Sequence, residues 1–131
     1  MSMYDVLKDK NGLEWYQKIY GLQILMELQR MLDTKILENA VKVNLMSEKE
    51  LLTHKFTALS VEVAEWANAS RCFKYWSKKP SESKERLIDE AADVLHFFLS
   101  ICNDMEISAQ ELYEGYLKKN EENYRRQENG Y

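Results

Sequence analysis

Glu62 and Glu65 stand three residues apart in EVAEWANASRCFKYW, and Glu90 and Asp93 repeat that spacing in DEAADVLHFFLSIC. Residues at i and i+3 share one face of a helix, so each pair sets two carboxylates side by side. At about 5 Å and an effective dielectric near 20, such a pair costs about 3 kcal/mol. No basic residue lies between Thr57 and Ser70 to cancel the first pair. Asp93 is flanked by Ala91, Ala92, Val94, Leu95, Phe97 and Phe98, a setting that predicts its burial. An unpaired ionised carboxylate there costs several kcal/mol or takes up a proton. A divalent cation would relieve both pairs. Mg²⁺ binds hard oxygen ligands while keeping waters and phosphate oxygens in its shell, so carboxylates from two antiparallel helices can grip a phosphate chain through it. The plainer alternative is two solvated helix faces, although the Lys four residues after Glu that such faces carry is absent here.

Helices must position these groups. One proline and four glycines leave little punctuation for strands and tight turns, and the pattern reads as all-α. The first helix is expected over about Leu13 to Leu37, where Leu22, Leu25, Leu28, Met31, Leu32 and Ile36 recur near helical spacing, with Gly21 as its weak point. A second begins after Ser47, which forms a capping box with Glu50, and runs to about Arg71. SKKPSES then breaks the pattern; Ser81 or Ser83 caps the third helix, and Ser108 with Glu111 opens the fourth. Four helices with short joins predict a four-helix-bundle-like fold in a single domain spanning 1–131.

At 45% hydrophobic and 31% charged, the 131 residues are too apolar for a disordered chain. They contain no apolar run of about 18 residues, which argues against a membrane partner. MSMYDVLKDKNGLEWY lacks an export signal, so the cytoplasm is the expected location. The net charge of -4 disfavours a nucleic-acid polymer as partner. Cys72 and Cys102 lie in helical patterns without metal or redox spacing and read as reduced, partly buried thiols.

Taken together, Glu62-x-x-Glu65, 24 intervening residues and Glu90-x-x-Asp93 resemble the signature of the all-α nucleoside triphosphate pyrophosphohydrolases, the group of MazG-like proteins, dCTP pyrophosphatases and dimeric dUTPases. ANASRCFKYWS, DVLHFFLSICN and KKNEENYRRQENGY resemble the dimeric dUTPase branch in particular, and the likeness runs from about Leu22 to Tyr131. The resemblance implies that Glu62, Glu65, Glu90 and Asp93 bind Mg²⁺ (or Mn²⁺) on the triphosphate. It further implies water attack on the α-phosphorus, giving a nucleoside monophosphate and pyrophosphate. Glu62 and Glu65 are the candidate catalytic carboxylates, Glu65 first, for taking the proton from that water.

The same resemblance puts Gln29 and Asp33 of ELQRMLD at the base and sugar, with Asn68 near the deoxyribose and His96 and Asn103 near the nucleoside. In FKYW, the Trp76 indole can pack on a base and the Lys74 ammonium can meet a phosphate. Lys119, Asn123, Arg126 and Gln127 form a polar stripe on the last helix, and Arg126 brings the fork that suits phosphate oxygens. Each has a plainer reading: an exposed polar face for Gln29 and Asp33, core packing for Trp76 and His96, a solvated C-terminal helix for the stripe. The resemblance also implies a homodimer whose two subunits shape the base pocket, with dUTP as substrate. A dCTP or broad house-cleaning pyrophosphohydrolase is the alternative, partly because Asp33 stands where some relatives have Asn. A noncatalytic helical interaction module is a third reading, against which the intact acidic quartet and Arg126 argue.

Overall fold

The structure, a computed structural model, describes residues 15–40 and 45–130. The N-terminal segment read for export, the expected helix start at Leu13 and the terminal Tyr131 lie outside the described residues. Four helices are present among the described residues and no strand: α1 (Trp15–Asn39), α2 (Glu48–Ser70), α3 (Lys84–Asp104) and α4 (Ala109–Glu128). The all-α expectation holds. None of these helices is long and apolar enough to cross a membrane.

Local chemistry sets the helix starts. Ser47 accepts from the Glu50 N–H while Glu50 accepts from the Ser47 N–H, both at 3.1 Å. Ser108 and Glu111 repeat this box at 3.0 and 3.1 Å. At α3 it is Ser83, not Ser81, that accepts from the Arg86 N–H, at 3.2 Å. Each box satisfies backbone donors that the first helical turn leaves without partners.

α2 stops at Arg71, whose left-handed backbone (φ 59°) lets its N–H reach the carbonyls of Ala67 and Asn68. A non-glycine residue accepts this conformation at a cost of about 1 kcal/mol. The Arg71 guanidinium donates to Ser77 Oγ at 2.9 Å, closing the FKYW turn. Because the helix ends there, Cys72 sits exposed in a turn, which corrects the expectation of a partly buried helical thiol. Cys102 is buried in α3, and burial pushes its thiol pKa up.

Chain contacts define two compact units, one of residues up to Leu28 with those from Glu106 onward, the other Gln29–Met105. In the second unit α2 packs on α3. The helices run antiparallel, since Lys55 near the start of α2 pairs with Asp104 at the end of α3 at 2.6 Å. At the other end the Glu82 N–H donates to the Ala69 carbonyl at 3.0 Å. Ala69, Leu99, Ile101 and Cys102 are buried in this unit. The first unit contains all of α4, and among its described residues Ile19, Met26 and Ala109 are buried and apolar. Along α1, Leu25, Leu28, Met31, Leu32 and Ile36 are exposed.

Candidate metal centre and nucleotide site

Antiparallel packing of α2 on α3 brings the two ends of the acidic motif together. Glu62, Glu65 and Glu90 each offer one carboxylate oxygen, and the three oxygens lie within 4.8 Å of one another. Glu90 is the buried member at 3% exposure; Glu62 is half-buried and Glu65 exposed. Oε2 of Glu62 and Oε2 of Glu90 are both buried with no hydrogen-bond partner. Burial raises the Glu62 pKa, and hydrogen bonding with Glu65 and the charges of Glu65, Asp93 and Glu90 raise it further. Orphaned buried carboxylate oxygens are expensive. Hard oxygen donors converging in this way fit a divalent cation of the Mg²⁺ type.

Asp93 departs from expectation. It is exposed, and it stands outside the three-oxygen cluster, although its charge is close enough to raise the Glu62 pKa. α3 turns Glu90 inward toward α2, so the buried carboxylate is the one a turn earlier. Glu90 also has a basic neighbour: Arg86, four residues before it, pairs through a guanidinium nitrogen with Oε1, and its Nε lies 3.3 Å from Glu82.

A second constellation joins the C-terminal part of α1 to α3. Gln29 Nε2 donates to Asp33 Oδ1 at 2.9 Å, and Ser100 Oγ donates to Asp33 Oδ2 at 2.7 Å. A carboxylate only accepts, so the Gln29 amide must turn its nitrogen to Asp33 and its oxygen the other way. That oxygen meets His96 Nδ1 at 2.5 Å, and because an amide oxygen only accepts, Nδ1 is the donor. Arg30 donates to Asn103 at 3.2 Å on the same seam. Gln29 and Ser100 are 5% and 2% exposed, which replaces the exposed-face reading of Gln29 with a buried, fully oriented amide. His96 itself is exposed, not a core histidine.

Asn68, on the last turn of α2, is exposed. Trp76 is 65% exposed, which rules out core packing, and stands edge-on to Phe73 and Tyr75 at 6.2 and 5.2 Å. Lys74 Nζ lies 5.8 Å above the Phe73 ring. In the other unit, Lys119 and Arg126 both pair with Glu122 on α4, at 3.1 and 2.7 Å. The Lys119 hydrogen bond, then the Arg126 charge, hold the Glu122 carboxyl below its ordinary range. Asn123 is exposed on the same helix.

Sequence reasoning missed Arg86 and Ser100. An i, i+4 spacing to Glu90 signalled the first; the second bonds a residue 67 positions away, and nothing local signalled it.

A sequence-family model described as dUTPase matches residues 21–111 and 98–131. The chain is 26% identical over 140 residues to the dCTP pyrophosphatase of Enterobacteria phage T4, spanning 84% of this chain and 82% of that protein. It is 24% identical over 141 residues to the dCTP pyrophosphatase of Enterobacteria phage LZ5, with the same coverage. No solved structure matches. With a family match across the acidic pairs, the FKYW turn and the C-terminal helix, on an all-α fold that brings Glu62, Glu65 and Glu90 together, this chain belongs to the dUTPase family.

Proposed function

We propose that this protein is a dUTP diphosphatase that converts dUTP and water to dUMP and pyrophosphate with Mg²⁺, or Mn²⁺ in its place. The coarser activity, nucleotide pyrophosphohydrolase, follows from family membership. The observation that carries the finer reading is the convergence of three carboxylates, two with buried partnerless oxygens, in a dUTPase-family chain.

Glu62, Glu65 and Glu90 would hold the cation, with exposed Asp93 as a fourth carboxylate at the edge. A divalent cation bound there supplies charge neutralisation for the triphosphate and activation of water. Glu62 and Glu65 stand side by side one helical turn apart, Glu62 half-buried and Glu65 exposed. Glu65, the exposed partner, takes the proton from the attacking water. That oxygen bonds to the α-phosphorus, the bridging oxygen to the β-phosphorus leaves with its electron pair, and pyrophosphate departs.

Gln29, Asp33, His96 and Asn103 are assigned to the nucleoside, where a pre-oriented amide and the second imidazole nitrogen suit the edge of a pyrimidine. Asn68 and Trp76 are assigned to sugar and base, and Lys74, Lys119, Asn123 and Arg126 to phosphates. A homodimer accompanies this reading; the exposed apolar side chains along α1 are the kind of surface a second copy covers.

dCTP as substrate is the second reading. Both named relatives are dCTP pyrophosphatases, and an acceptor-only Asp33 suits the exocyclic amine of cytosine. Pyrophosphate release from dUTP, dCTP, dTTP and UTP, with and without Mg²⁺, separates the two. Fastest Mg²⁺-dependent release from dUTP is expected. Preference for dCTP selects the second reading, and equal rates on all four end the dUTP claim. Absence both of turnover and of metal-dependent nucleotide binding leaves a helical interaction module.

A further inference from the structure

We propose that Arg86 is a positioning residue for the acidic cluster: held by Glu82, its guanidinium occupies one oxygen of Glu90 and so commits the other to Glu62 and Glu65. The inference rests on the reading of that cluster as a divalent-cation site. Glu82, Arg86 and Glu90 follow at four-residue steps, the guanidinium reaching Glu82 through Nε at 3.3 Å and Glu90 Oε1 through a terminal nitrogen. Glu82 is itself tied to the helix that bears the other two carboxylates, because its N–H donates to the Ala69 carbonyl at the end of α2. The relay thus runs from α2, through the loop, to the buried carboxylate of α3. Glu90 is 3% exposed, its Oε1 taken by Arg86 and its Oε2 buried without a partner.

A guanidinium beside a cation site has two opposed effects. It repels the cation, and it fixes the ligand. Arg86 has a side chain 55% exposed, so water screens its repulsion, whereas the buried Glu90 has no water to replace a lost partner. Orientation therefore dominates, as for outer partners of metal ligands generally.

The test is Mn²⁺ binding to the full chain without nucleotide, read as free Mn²⁺ by electron paramagnetic resonance. Wild type, R86M, R86K and E82Q are compared, with thermal unfolding of each. R86M is expected to bind about tenfold more weakly, R86K to recover at least half of that loss, and E82Q to lose less in the same direction. Unchanged or tighter binding by R86M overturns the proposal, the tighter case showing a guanidinium that merely competes. An R86K as weak as R86M also overturns it. Where R86M does not fold, E82Q, whose backbone bond to Ala69 survives, decides by the same criterion. A wild type that binds no Mn²⁺ removes the cation site and this proposal together; a wild type that binds, with R86M unchanged, removes only the role of Arg86.

Discussion

Replacing Glu90 with Gln should make the metal-free protein more stable and the metal-loaded protein comparatively less so. The three carboxylate oxygens lie within 4.8 Å of one another. At an effective dielectric near 20, one fully ionised pair at that separation costs about 3.5 kcal/mol. Glu65 is exposed and Glu62 half-buried, so water screens part of this repulsion and the amide recovers only a fraction of it. Against that stands the weakened pairing with Arg86, worth about 1 kcal/mol for a guanidinium half in solvent. The net is about 1–2 kcal/mol in favour of E90Q, or about 4–7 °C in Tm for a chain of this length. Mg²⁺ at one hundred times its Kd then adds about 2.7 kcal/mol to wild type, and much less to the variant. Thermal unfolding by circular dichroism in EDTA and in excess Mg²⁺ should show the order of the two proteins invert. A metal-free E90Q that melts below wild type would mean that the pairing with Arg86 outweighs the crowding of the carboxylates, and the argument that this crowding calls for a cation would fail with it.

Ser100→Ala removes a donor from Asp33 inside the seam between α1 and α3, at a serine 2% exposed. Urea unfolding should show a loss of about 1.5–3 kcal/mol, the range for a hydrogen bond to a charged group; a change below about 0.5 kcal/mol would make the seam incidental. The raised Glu62 pKa gives a pH dependence of definite sign. Between the unfolded value of 4.5 and its higher folded value, the native state binds the extra proton, so metal-free stability should fall as pH rises through that window. Mg²⁺ or Glu62→Gln should flatten the slope, which denaturant midpoints across the window would reveal; an unchanged slope in Glu62→Gln would assign it to another group.

What the sequence disclosed was what local chemistry decides. Ser47, Ser83 and Ser108 announce their helices because a cap needs only the next three residues. The acidic spacing was legible for the same reason. Burial was not. Glu90 and Asp93 stand in the same apolar segment, and only the packing of α2 on α3 turns Glu90 inward and leaves Asp93 in solvent. Arg86 could have been found from its four-residue step to Glu90, but on the sequence alone it reads as an ordinary surface pair. The orientation of the Gln29 amide depends on His96, 67 residues away, and on the carboxylate of Asp33 that Ser100 holds, so it appears only once α1 meets α3. Cys72 was misplaced although the helix stops where expected, at Arg71: its exposure is set by the turn that follows, which the local apolar pattern does not disclose.

Hydrolysis of dUTP in ¹⁸O-labelled water with Mg²⁺ puts the central claim to its most direct test. Water directed at the α-phosphorus by a cation on Glu62, Glu65 and Glu90 must leave the label in dUMP, unlabelled pyrophosphate beside it, and no turnover in EDTA. Label in inorganic phosphate or pyrophosphate, or cleavage that persists without a divalent cation, would contradict the account.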